Sequence, residues 1–280
     1  MTGTRTRAGL VPDAVLANTR GAELGVAALR RLGERTGFPT WPVVLDLWPT
    51  DDDAELSAAA DRAADRELEE CGALVDDRPD HWSSTAVRVL TGPERELAVR
   101  VFGADGPRRA CLARRGHEHV LAVRTGDRIA LGFPEIADAA GLGAVIRALC
   151  GQAPPMTFAD IRVPTDEFVD RLARCGDRHD AAAVLRTIGA RADDATRLAA
   201  ALAAPAARTE IVAIAHGAGV VTQSCGALAV VDGERGRIVL SPSGSLDGGR
   251  WTTLTPGTGH RLAQGVRLLV ETLPDGRWFP

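Results

Sequence analysis

Apolar and polar positions along this chain fall into a pattern that occurs twice. Leu121-Ala122-Val123-Arg124-Thr125-Gly126-Asp127-Arg128-Ile129-Ala130-Leu131 returns as Leu228-Ala229-Val230-Val231-Asp232-Gly233-Glu234-Arg235-Gly236-Arg237-Ile238-Val239-Leu240. Each copy is an apolar run, a Gly/Asp turn carrying Arg and an Ile-x-Leu exit, and the offset is 107 to 109 residues. Solenoid units repeat every 20 to 50 residues or about that, so this spacing fits two copies of one small α/β unit instead. Val120–Val123 and Leu228–Val231 do not alternate, which predicts central strands covered on both faces.

Each half reads as an antiparallel meander closed by an amphipathic helix. Strands are expected near 95–102, 108–115, 118–125 and 128–133, then near 208–215, 219–225, 227–231, 237–241 and 250–254, separated by Gly- and Asp-containing turns. Leu142, Val145, Ile146 and Leu149 define one helical stripe, and Leu262, Val266, Leu269 and Leu273 another. Leu90-x-x-Pro93 and Leu202-x-x-Pro205 each stop a helix before a strand. Upstream, Ala14-Val15-Leu16-Ala17 leads into a helix expected over Gly21–Leu32, with Glu23-Leu24 in its first turn. The matching helix of the second half carries Glu167-Phe168, with Thr165 as its expected N-cap. Asp51-Asp52-Asp53 opens an extra helix that Gly72 ends, with Leu56, Ala60, Ala63 and Leu68 along one side. The expected organisation is a single α+β domain over 1–280 with pseudo-repeat halves 10–152 and 156–274, joined through 151–157.

Composition narrows the function classes. A hydrophobic content of 45% with 25% charged residues is that of a globular protein. No run approaches the roughly 18 apolar residues of a membrane span, and no apolar segment follows the basic Thr4–Arg7 stretch to make a secretory signal. A cytoplasmic location is expected. A net charge of −4 argues against a nucleic-acid binder. The five cysteines form no C-x-x-C pair and are expected as buried, reduced thiols. Lysine and tyrosine are absent, which removes Schiff-base, Walker-A lysine and tyrosine-acid chemistry.

Chemical motifs are sparse. His117-Glu118-His119 puts two imidazoles on one strand face without a third ligand and reads as a turn edge. Ile211-Val212-Ala213-Ile214-Ala215-His216-Gly217-Ala218-Gly219 starts like a dinucleotide fingerprint, but position 222 is Thr and the following residues prefer strand, so a hairpin turn is expected. Ser241-Pro242-Ser243-Gly244-Ser245 lacks the glycine of a nucleophile elbow and reads as a loop. Arg108-Arg109 and Arg114-Arg115 read as a solvated hairpin edge. The five tryptophans are expected in core packing, with Trp251 the one most suited to an interface. No catalytic residue, metal or cofactor is expected, and the protein is read as a non-enzyme.

With these elements in place the chain resembles the EspG family, secretion-associated proteins of actinobacterial type VII (ESX) systems. The resemblance is carried by Phe38-Pro39-Thr40-Trp41-Pro42-Val43-Val44-Leu45, Pro93-Glu94-Arg95-Glu96-Leu97-Ala98-Val99-Arg100 and Arg115-Gly116-His117-Glu118-His119-Val120-Leu121-Ala122-Val123. Gly236-Arg237-Ile238, Trp251-Thr252-Thr253-Leu254-Thr255-Pro256-Gly257-Thr258 and Arg261-Leu262 complete it. It implies a central antiparallel sheet flanked by helical bundles, with two halves related by a quasi-two-fold axis. It also implies a cytosolic chaperone or adaptor that binds the tip of PPE proteins in PE–PPE heterodimers, keeps them soluble and delivers them. The chain departs from mycobacterial members in lacking Lys and in its short Gly103–Pro107 loop, a contact element in the family. That leaves the partner open between a PE–PPE pair and a WXG100-like or other helical-hairpin substrate, and a homodimer stays an option. The partner-binding candidates, chosen by position on the second-half sheet, are Thr222, Ser224, Arg250 and Trp251. The alternatives are a small-ligand or nucleotide-binding protein or enzyme, and a self-associating structural protein.

Overall fold

The computed structural model describes residues 21–280 apart from 39, 49–53, 218 and 245–247; of 54–57 it describes the backbone alone. The Ala14–Ala17 run, the Asp51–Asp53 helix start, the Leu56 side chain and Ser245 lie outside the described residues. The fold is α+β with extensive antiparallel sheet, and it divides into two units. One holds the chain up to Pro93 together with Arg108–Glu135, and the other holds Glu94–Pro107 together with Ile136–Pro280.

The first unit opens on a strand, β1 (Ala22–Gly25), where a helix is expected from Gly21. Its four residues pair antiparallel with Arg128–Leu131 and bury Leu24, so ladder bonds override the local helical pattern. Helix α1 (Val26–Thr36) follows, then a 3-10 turn (Val43–Leu45), helix α2 (Ala54–Glu70), the small hairpin β2 (Leu74–Val75) and β3 (Arg78–Pro79), and helix α3 (His81–Thr91). Helix α2 turns Ala64 and Leu68 inward and leaves Ala60 and Ala63 exposed, which corrects the expected face. Charge sets that rotation: Arg31 and Arg35 of α1 grip Asp65 at 3.0 and 2.9 Å, and Glu67 accepts the Gly25 amide at 2.9 Å. Strand β4 (Arg95–Gly103) belongs to the second unit. Strands β5 (Arg108–Arg115), β6 (Glu118–Thr125) and β7 (Arg128–Gly132) complete the first, in the order β1-β7-β6-β5.

The turn before β6 carries His117, so the two imidazoles do not share a strand face. His119 is buried opposite Arg114, also buried, in the β5–β6 register. The expected arginine edge is therefore not a solvated strip: Arg109 pairs with Asp46 at 3.1 Å, Arg114 is interior, and Arg115 is exposed.

In the second unit, helix α4 (Ala139–Cys150) precedes strand β8 (Ile161–Pro164) and helices α5 (Thr165–Ala173), α6 (Arg178–Thr187) and α7 (Ala192–Ala203). Strands β9 (Ala207–Gly217), β10 (Val220–Gln223), β11 (Leu228–Gly233), β12 (Gly236–Gly244) and β13 (Arg250–Pro256) lead to helix α8 (Gly259–Glu271). The order is β4-β9-β11-β12-β13-β8, with β10 paired to β9. Thr165 is the first helical residue rather than the cap, and its hydroxyl meets that of Thr252 at 2.8 Å. Ser241–Gly244 are strand, not loop, because they pair with Thr253–Arg250 across β13. Ile238 joins Phe158, Phe168, Leu185 and Leu198 in the core beneath α5–α7. Its neighbour Val239 points the opposite way, toward α8, where a Cβ on Gly265 would strike Leu228 at 2.8 Å. Both apolar stripes expected of α4 and α8 are buried.

One side chain binds these parts together. Arg237, 3% exposed, donates to both oxygens of Asp232 at 2.6 and 2.7 Å and to the carbonyls of Gly151 and Cys150 at 2.9 and 2.8 Å. Its amide donates to the Pro154 carbonyl at 2.7 Å, and its own carbonyl accepts from Met156 and Gly257. Gly236 before it holds φ +115°, and a Cβ there would meet the Met156 amide at 2.7 Å.

Replacing Arg237 with Met leaves the Asp232 carboxylate and two carbonyls without their partner, and is expected to cost about 3 kcal/mol or more, read as a shift in the urea midpoint. His119 supplies a pH test in the first unit. Burial first, and then the Arg114 charge, pull its pKa from 6.5 to about 4. The folded state holds the ring neutral, so its contribution is complete above pH 6.5 and is lost as pH falls toward 4, about 3 kcal/mol in all. Denaturation at pH 7 and pH 4.5 should show that loss in the wild type and a smaller one in His119→Gln.

Candidate partner-binding surface

The β9–β10 hairpin forms where the fingerprint-like segment ends. Gly219 takes φ +77° and Val220–Gln223 returns as strand, so no helix follows to cradle a phosphate. Among the described residues, no three of His, Cys, Asp and Glu gather into a possible metal site, and no helix is long and apolar enough to cross a membrane.

The four candidate residues lie along the β10 and β13 side of the second unit. Thr222 is half-buried in β10, opposite Ala215. Ser224, one residue past that strand, is buried; its hydroxyl accepts the Ala213 amide at 3.2 Å and donates to the Gly226 carbonyl at 2.7 Å. Arg250 opens β13 and is exposed, pairing with Asp166 of α5 at 2.6 Å and reaching the Cys225 carbonyl at 3.4 Å. Trp251 is half-buried, with the Arg162 guanidinium 4.8 Å from its ring centroid. Arg250 thus brings the Ser224–Gly226 turn and the α5 N-terminus to one place, while Ser224 itself is turned inward. Cys225 beside it is exposed, unlike the buried Cys111 and Cys150.

Exposed apolar side chains mark surfaces that the sequence reading missed. In the second unit Val220 and Val221 of β10 are 62% and 66% exposed, and Val169 of α5 is also exposed. Phe102 is exposed at the far end of β4, beside the Gly103–Pro107 loop, with the Arg208 guanidinium 5.6 Å from its ring. It pairs with Arg208 in β9, whereas Thr222 pairs with Ala215. Seven residues of strand, about 23 Å, therefore separate the two places. In the first unit Trp48 is 67% exposed, with Val43 and Phe38 also exposed; Trp48, and not Trp251, is the most open tryptophan. The available signal was the run of prolines at 39, 42 and 49, which breaks any periodic pattern around Phe38 and Trp48. A cavity of about 350 Å³ between α4, α8 and the C-terminal tail is lined by Leu142, Val270, Trp278 and Phe279. The Arg267 and Glu271 side chains at its wall pair with each other at 2.5 Å.

Residues 25–267 match the family model described as the EspG family. The chain belongs to the EspG family. Among its relatives, the ESX-3 secretion-associated protein EspG3 of Mycobacterium tuberculosis is 27% identical over 94% of this chain and 95% of its own length. The ESX-1 secretion-associated protein EspG1 of Mycobacterium tuberculosis is 29% identical over 94% and 90%. The fold is similar to that of the Mycobacterium tuberculosis type VII secretion system chaperone EspG5, solved in complex with the PE25-PPE41 dimer. The TM-score is 0.80 at 23% identity, covering 92% of this chain and 98% of that one. An EspG-type fold of antiparallel sheet and flanking helices is therefore what the sequence specifies.

The buried hydroxyl and the exposed ion pair separate on stability. Ser224→Ala leaves the Ala213 amide without its acceptor and is expected to cost about 1–3 kcal/mol. Arg250→Ala, breaking a solvent-exposed pair, should stay within about 1 kcal/mol of the wild type; urea titrations of both variants check the contrast.

Proposed function

We propose that this protein is a cytoplasmic, non-enzymatic chaperone of a type VII secretion system, which binds a helical-hairpin substrate of the PE–PPE kind and keeps it soluble until delivery. Membership of the EspG family supports this, as does the likeness in fold to an EspG5 solved with a PE–PPE dimer. We further propose that the two halves 10–152 and 156–274 descend from one duplicated module.

The observation that carries the docking site is the pair of exposed valines on β10, close to the partner-binding candidates. An apolar centre formed by Val220 and Trp251 on one face of the sheet, with Val221 and the Arg250–Asp166 ion pair on the opposite face, has the make-up of a protein interface. Thr222 contributes to the apolar centre's border, and Ser224 acts by holding the turn beneath it. A secreted hairpin that exposes an apolar tip would lose that surface to water here, with no bond made or broken.

Co-expression with a PE–PPE pair, and separately with a WXG100-like protein, tests the reading. A soluble complex with one of them is expected, and failure of every helical-hairpin substrate to bind would overturn it. The double variant Val220→Asp with Val221→Asp should weaken that complex at least tenfold, about 1.4 kcal/mol, with little change in melting temperature. Undiminished affinity would remove the docking site from β10.

A further inference from the structure

Strand β10 occupies an unusual place in the second unit: it pairs with β9 on one side and with no other strand among the described residues. Two hydrogen bonds fix which of its backbone groups face outward. The His216 amide donates to Glu94 on the β4 side of β9, and the Ala213 carbonyl accepts from the Ser224 amide on the β10 side. Backbone groups in an antiparallel ladder alternate between the two edges. Odd-numbered residues of β9 therefore serve β10, and the registers Val220↔Gly217 and Thr222↔Ala215 mean that the even residues of β10 bond inward. The amides and carbonyls of Val221 and Gln223 point to the open edge.

That edge carries none of the usual guards. Exposed edges are normally blunted by charge, proline or a bulge; β8, the outermost strand of the main sheet path, carries Arg162 and ends in Pro164. The β10 sequence Val-Val-Thr-Gln has neither charge nor proline, and both valines stand in solvent. Ser224 nonetheless holds this edge in place, its amide and hydroxyl both engaged with Ala213. A row of backbone donors and acceptors that meets no further strand among the described residues, set between apolar side chains, suits one shape of ligand, an extended strand.

Resting on the function proposed above, we infer that the open edge of β10 receives an extended segment of the secretion substrate as an added strand, hydrogen-bonded to Val221 and Gln223. A second copy of this chain is the poorer occupant. Four residues span about 13 Å, and pairing two such strands falls well short of the roughly 1,000 Å² a specific interface needs. A substrate already docked on the same unit has no such shortfall, because the strand only adds to a contact made elsewhere.

The test is amide hydrogen exchange on the full-length protein, free and in complex with a co-expressed PE–PPE pair. Exchange at Val221 and Gln223 should slow at least tenfold in the complex. A stable complex in which both amides exchange as fast as in the free protein overturns the inference and leaves the chaperone reading standing; no complex at all overturns both. Val221→Pro gives a second readout, since proline is tolerated on an edge strand where the lost N–H faces solvent. The variant should fold with an unchanged melting temperature and release its substrate about tenfold faster. Thr222→Pro, which removes an inward N–H, should instead destabilise the hairpin itself. Unaltered release by a folded Val221→Pro variant counts against the added strand.

Discussion

A charged group can remain inside a protein only when its hydrogen-bonding capacity is met there. Arg237 meets that condition almost wholly from its own unit. A carboxylate five residues earlier takes two of its donors, and the last turn of α4 and the residue after it supply carbonyls for the others. The paired Asp232 raises its pKa still further above the ordinary arginine value against the effect of burial, so the guanidinium stays protonated. Through main-chain bonds to Pro154, Met156 and Gly257 the same residue fixes where the 151–156 segment crosses and where the chain leaves β13 for α8. The core under α5–α7 and the packing of α8 on β12 both presuppose that anchorage.

The repeat in the sequence marks the same position in the first unit, where Arg128 follows its own Gly/Asp turn. There the guanidinium is about one-third exposed and bridges Glu23 of β1 and Glu67 of α2, at 3.1 and 2.5 Å. One turn and one residue type thus produce two clamps with different partners. The buried one takes one carboxylate and two backbone carbonyls, and the one-third-exposed one takes two carboxylates and one backbone carbonyl, in keeping with how much water each retains. With no lysine in the chain, every such contact uses the planar fork of arginine, suited to two-point grips.

Much of the fold was legible because apolar runs and turn residues act locally. The strands at Arg108–Arg115 and Glu118–Thr125 and both closing helices lie where periodicity and Gly/Asp punctuation place them. What escaped depends on distant partners. Ala22–Gly25 becomes strand only because β7 is there to pair with it, and Ser241–Gly244 only because β13 is. The rotation of α2 follows ion pairs with α1 rather than its alanines. Of the candidate surface, Arg250 and Thr222 were placed on the correct strands, whereas the inward turn of Ser224 depends on a ladder that no local pattern announces. The exposure of Val220 and Val221 could not be read from a strand whose neighbours were unknown, since valine is the usual residue of a covered one.

The pairing of β4 with β9 joins residues 104 to 120 positions apart, from Gly103↔Ala207 to Arg95↔Ala215. During synthesis β4 emerges early, yet Leu97, Val99 and Val101 can find no ladder on that side until most of the polypeptide has left the ribosome. Long-range pairing of this sort slows folding and prolongs the interval in which sticky edges are open. The chaperone proposed here would itself spend its birth exposed to the hazard of aggregation, and shortening it from the C-terminal end would make the exposure permanent.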